Sequence, residues 1–182
     1  MKFLKSEAAT EWCMGQGVDS NARNRQFYPL GGSRHFSIKL EEKPSDTVLL
    51  TDYLVPSWEE PAFKGGLLWL TGFGIWGDNS EKTGLAMLKQ MRSGHGESGT
   101  VSDEPAQLFG PEEVYEAHSF LLLPILFGWD ALWVPRAGGY VVSIGHHGTA
   151  TVISQDKHIY HELRIRLKDW SPRESEEDHQ PE

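Results

Sequence analysis

Phe127-Gly128-Trp129-Asp130-Ala131-Leu132-Trp133-Val134-Pro135 is followed by Arg136-Ala137-Gly138-Gly139, Tyr140-Val141-Val142-Ser143-Ile144, Gly145-His146-His147-Gly148 and Thr149-Ala150-Thr151-Val152-Ile153-Ser154. Three apolar runs, at 130–134, 140–144 and 149–153, are separated by two short connections that contain glycine. Connections of that length join neighbouring antiparallel strands and are too short for a crossover, so the stretch predicts a meander. It also concentrates aromatic bulk, one acid and a histidine pair. The centre of the fold and the first candidate site are therefore sought here.

Immediately upstream, Gly110-Pro111-Glu112-Glu113 has the composition of a helix start, with proline and acids suited to the first turn. Val114, His118, Leu121, Leu122 and Ile125 then share one helical face, and Pro124 should kink or end the helix. Residues 93–106 hold almost no apolar side chain and read as a mobile surface loop, or one ordered only by a partner. Before them, Leu85, Leu88 and Met91 recur at helical spacing behind Asp78 and Glu81, which have the logic of a capping box. Gly65 to Gly77 is apolar on both faces, with Leu67 and Trp69 on one and Leu68, Leu70 and Trp76 on the other, as in a strand covered on both sides. Gly72 and Gly74 suggest a bulge or a close backbone approach.

Nearer the N-terminus, residues 6–14 followed by Gly15 read as a short helix, with Ser6 as the cap and Gly15 closing it. Residues 17–33, rich in Asn, Arg and Gly, read as irregular. Phe36, Ile38 and Leu40 alternate with polar residues and predict a strand. Residues 47–55 fit either strand or helix. Downstream of the meander, Ile159, Tyr160, Leu163, Leu167 and Trp170 share a helical face that only Ile165 leaves, so 156–170 is read as helix. Together these elements predict a single α+β domain over 1–170. Its antiparallel or mixed sheet would have about five or six strands, with three or four helices packed mainly on one side. Residues 171–182 read as a disordered acidic tail.

The chain has 182 residues and a net charge of −9. The last twelve residues account for −4 of this, so the body is acidic as well. Arg164, Arg166 and Lys168 form the best basic run, and a solvated face explains it. Nucleic acid is not expected as a partner, because a phosphate backbone demands a basic surface. A basic protein is electrostatically favoured. Cys13 is alone, which excludes an intrachain disulfide and a cysteine zinc site, and it reads as a packing residue. The longest strongly apolar run, 120–127, is far below the ~20 residues of a membrane helix. A secretory signal is not evident, and a cytoplasmic location is the expectation, with no membrane association.

Three constellations bear on chemistry. His146 and His147 are the sharpest; neighbouring strand residues face opposite ways, although a turn relaxes that rule. With His158 and His161 they would supply a set of nitrogens of the kind zinc uses, but no His-Glu-x-x-His motif accompanies them. Asp130, at the start of an apolar strand, suits either a desolvated acid or base or a turn-capping carboxylate. Asp130, His146 and His147 are thus the weak catalytic candidates; a nucleophile elbow is missing. Gly72-Phe73-Gly74-Ile75-Trp76-Gly77 resembles a phosphate loop only superficially, because Asp78 and Glu81 would compete with phosphate at the helix that follows.

These features are those of a non-enzymatic protein-binding module of bacterial type, such as an immunity protein or small stoichiometric inhibitor. Trp76, Trp129, Trp133, His146 and His147 are the candidate binding residues, and no metal or cofactor is assigned. Two alternatives stand beside it: a hydrolase or metal-assisted enzyme using Asp130 with His146 and His147, and a structural subunit that self-associates through a Trp-rich surface.

Overall fold

Strand β1 (Lys2–Leu4) leads into helix α1 (Ser6–Gly15), followed by the hairpin β2 (Val18–Asn21) and β3 (Gln26–Pro29) and by strand β4 (Arg34–Lys39). Helix α2 (Pro44–Leu54), strand β5 (Gly66–Gly72), helix α3 (Asn79–Gly94) and strand β6 (Ala106–Phe109) come next. Helix α4 (Val114–Phe127) then enters the meander β7 (Asp130–Pro135), β8 (Tyr140–Gly145) and β9 (Thr149–Ser154). The chain closes with helix α5 (Lys157–Arg166), a 3-10 turn (Lys168–Trp170) and β10 (Arg173–Glu174). This computed structural model describes residues 1–21, 26–29, 34–40, 43–55, 63–72, 79–97, 99–136 and 139–174.

Eight strands form one sheet in the order β1-β6-β5-β7-β8-β9-β4-β10, and every neighbouring pair is antiparallel. The alternation of side chains divides the core in two. Phe36, Ile38, Leu68, Leu70, Trp133, Val142, Ile144 and Val152 face one side, where residues of α2, α3, α4 and α5 cover them. Leu67, Trp69, Leu132, Val134 and Val141 face the other, where Ala9 and Cys13 of α1 and Val18 of β2 complete a smaller cluster. The chain is thus a single α+β domain with four of its five helices on one face. The double coverage of β5 explains its unbroken run of apolar residues.

The meander forms as its spacing predicts, and the register of β7 to β9 is continuous. Residues 47–55 resolve as helix because Pro44 fits the first turn and Leu50 and Leu54 reach the core. Helix α5 begins where Asp156 accepts backbone N–H bonds from His158 and Ile159 at 2.7 and 3.2 Å. Ile165 is 71% exposed, as its departure from the helical face requires.

The sheet is slightly larger than the five or six strands expected, since its short edge strands, three residues in β1 and two in β10, leave no readable periodicity in sequence. Other expectations need correction. Helix α1 is preceded by Lys5 with no side-chain cap from Ser6, and the positive φ falls at Gly17. The region read as irregular contains β2 and β3. Helix α4 starts at Val114, since the Glu113 carboxylate accepts the Gly110 N–H at 2.7 Å and closes a turn ahead of it. Pro124 sits inside α4, one turn before Gly128 ends it in a left-handed conformation.

The expected free loop at 93–106 is anchored. Its first residues complete α3, Val101 is buried, and the fully buried Arg92 binds the Glu97 carboxylate and the Glu104 carbonyl. The Arg92 guanidinium also lies 4.6 Å from the Phe3 ring centroid. The expected tail is ordered at its start, where Arg173 and Glu174 pair with Ser37 and Phe36; residues 175–182 lie outside the described residues. Asp78, Gly74 and Gly77 lie outside them too.

Candidate functional site

The β8–β9 connection places the histidine pair. Gly145 pairs with Thr149, and the Gly148 N–H returns to the Gly145 carbonyl at 3.1 Å with Gly148 at φ 73°. That left-handed position demands glycine and makes a three-residue hairpin loop of His146, His147 and Gly148. On the next strand, Asp130 opens β7 opposite Gly72, where β5 carries a register shift. A Cβ at Gly72 would lie 2.7 Å from Asp130 Oδ2, so glycine leaves the space that the carboxylate fills.

Asp130 Oδ1 accepts the backbone N–H of His146 at 2.8 Å and contacts His146 Nδ1 at 2.8 Å. A carboxylate only accepts, so Nδ1 is the donor in this contact. The His146 and His147 ring centroids are 3.9 Å apart at 49°, so the turn lets adjacent histidines meet. The structure therefore joins all three catalytic candidates in one cluster. It does not add His158 or His161: among the described residues no group of three or more His, Cys, Asp or Glu side chains could hold a metal ion.

The tryptophans behave differently. Trp129 and Trp133 are fully buried and Trp69 is nearly so. Trp129 stacks on Phe127, and Trp133 Nε1 donates to the Leu54 carbonyl at 3.1 Å. Neither Trp129 nor Trp133 offers a contact surface, because Trp133 points from β7 into the helix-covered core and Trp129, between α4 and β7, is fully buried in the same cluster. This corrects their assignment as binding residues and removes them from a Trp-rich self-association surface. Trp76 lies outside the described residues.

A second cluster lies where α2 packs on α4. His118 Nδ1 is 3.0 Å from Asp52 Oδ1, and these residues share a groove of about 280 Å³ with Val48, Thr51, Tyr115 and Leu122. Val48 and Tyr115 are 48% and 67% exposed, a large apolar and aromatic presence for a surface position. Asp46, Asp52 and Glu116 are the charged residues of the two helices, which contain no Lys or Arg. The sequence carried a signal for this groove: once 44–54 is helical, Val48 and Asp52 fall i,i+4 on one face. The strand alternative for that segment hid the relation.

Buried Cys13 and half-buried Tyr140 are ionisable groups outside both clusters. Burial pushes the Cys13 thiol up to about 12, so it is an inert packing group. Burial likewise pushes the Tyr140 phenol to about 12, against an opposing pull from Arg166. The Tyr140 hydroxyl donates to the same Leu54 carbonyl as Trp133, at 3.1 Å.

No described helix is long and apolar enough to cross a membrane. Fold and clusters define a single-domain α+β protein with an Asp–His pair at a hairpin tip and an acidic, partly apolar helical groove. Compared with known protein families, curated proteins and solved structures, the chain matches none.

Proposed function

We propose that this chain is a non-enzymatic protein-binding module of the immunity or small-inhibitor type that engages a basic protein partner through the α2–α4 groove. The observation that carries the reading is the composition of that groove. Exposed Val48 and Tyr115 supply apolar and aromatic anchors beside Asp52, and the two helices that form the groove carry Asp46 and Glu116 as well and no Lys or Arg. Aromatic anchors on helices whose Asp and Glu have no Lys or Arg beside them on the same helix suit a specific interface and fast encounter with a basic partner. The test is affinity capture from native extract with three baits: wild type, Val48→Asp/Tyr115→Ala, and His146→Ala/His147→Ala. A single stoichiometric basic protein held by wild type and by the histidine variant, and lost from the groove variant, is the expected result. Equal capture by all three, or none by a folded wild type, overturns the proposal.

A second reading rests on the Asp130–His146 contact, an oriented carboxylate–imidazole pair of the kind hydrolases use for general acid–base work. Hydrolysis of ester or amide substrates that disappears in both Asp130→Ala and His146→Ala would favour it over the binding module.

A further inference from the structure

A cleft of about 460 Å³ opens beside the edge of the sheet at β4, lined in part by Lys39, His147, Thr149, Asp169, Trp170 and Arg173. Its existence follows from the sequence. Among the described residues, β10 pairs with β4 through Arg173 opposite Ser37 and Glu174 opposite Phe36. Pro172 has no N–H to extend the ladder, and Ser171 adopts φ 47°, a left-handed conformation unfavourable for a residue with a Cβ. The chain therefore swings away from Ile38 and Lys39 instead of pairing with them, and the gap is the cleft.

The register decides what lines it. Lys39 is two residues from Ser37, and Arg173 is directly opposite Ser37, so both cationic side chains leave the same face of the sheet. Such diagonal neighbours sit roughly 7–8 Å apart. Among the described residues, no salt bridge engages either Lys39 or Arg173. That spacing is of the residue positions and not of the charged groups; the cleft lining sets the two cations against one carboxylate, Asp169, so the mutual repulsion of Lys39 and Arg173 is only partly offset, in a chain whose net charge is −9. An anion between them would relieve that repulsion. The Thr149 hydroxyl and a ring N–H of His147 add hydrogen-bond donors. The His147 ring lies in tilted contact with that of His146, which Asp130 fixes in turn. Trp170 and Ile38 add apolar wall.

We propose that this cleft binds a small phosphate monoester with an apolar or aromatic body. A guanidinium fork and an ammonium are the usual partners of phosphate oxygens. The volume exceeds that of a phosphate group and falls within the range of small-molecule sites, which leaves room for the organic portion.

Titration calorimetry and amide NMR with two probes, phenyl phosphate and inorganic phosphate, test this. Single-site binding of phenyl phosphate is expected, tighter than inorganic phosphate, with shifts confined to residues 37–39, 147–149 and 169–173. Lys39→Ala/Arg173→Ala should weaken it by about tenfold or more. Arg173→Lys, which keeps charge and loses the fork, should fall between, and Lys157→Ala should bind as wild type. If the double variant does not fold, the two single alanine variants decide, each with reduced affinity. The proposal is overturned by no saturable binding of either probe into the millimolar range. Shifts centred elsewhere, or undiminished affinity in folded variants, overturn it as well.

Discussion

Asp130 holds His146 at two atoms, with a single carboxylate oxygen 2.8 Å from both the backbone nitrogen and Nδ1. The first contact fixes the turn and the second fixes the ring. The two contacts can be separated by mutation. Asp130→Ala removes both and should lower stability by about 2–3 kcal/mol, while His146→Ala keeps the backbone contact and should cost about 1 kcal/mol. Urea denaturation of the two variants measures the difference, and equal losses would mean that the ring contact alone matters.

Gly72 should prove coupled to the same carboxylate. In Gly72→Ala the new methyl meets Asp130 Oδ2 at 2.7 Å and must displace it from His146. A loss of about 2 kcal/mol is expected, much of it absent when Asp130 is already alanine, since contacting residues are non-additive. A double-mutant cycle by chemical denaturation checks the coupling; simple addition of the two costs would remove it.

Arg92 anchors the segment between α3 and β6 from a fully buried position. Arg92→Ala strands the Glu97 carboxylate, itself nearly buried, and should cost about 3–5 kcal/mol. Replacing both by methionine should cost far less, because no uncompensated charge remains. Denaturation midpoints of the single and double variants read this directly.

Alkaline stability follows from Cys13 and Tyr140. Burial raises them from 9.0 and 10.0 to about 12 each. The unfolded chain releases both protons while the folded chain keeps them, so their contribution is whole below about pH 9 and is lost on the way to about pH 12. Where both differ, the slope approaches about 2.7 kcal/mol per pH unit. Cys13→Ala/Tyr140→Phe should flatten that decline in a pH series of urea melts, whatever its effect on the neutral-pH value. The native Cys13 thiol should also resist thiol reagents near neutral pH and react once the chain unfolds.

How much of this was legible depends on length of pattern. The meander, β5 and α5 could be read because several residues of one periodicity run together there. β1, β6 and β10 could not, since two to four residues carry no period and their pairing is decided by distant partners. Asp130 was singled out from its place at an element boundary, but its bond to His146 depends on the β7–β8 register, which no local feature states. Trp129 and Trp133 show the converse limit: composition marks them as anchors, and only the sheet's facing tells core from interface. The Asp52–His118 contact was hidden for a simpler reason, the undecided helix at 44–54.

Hydrogen exchange on the complex with the captured partner tests the central claim most directly. If the α2–α4 groove is the binding surface, protection on binding should concentrate in residues 44–54 and 114–122 and disappear with Val48→Asp/Tyr115→Ala. Protection centred on the hairpin at 145–149, with residues 44–54 and 114–122 exchanging as in the free chain, would contradict it.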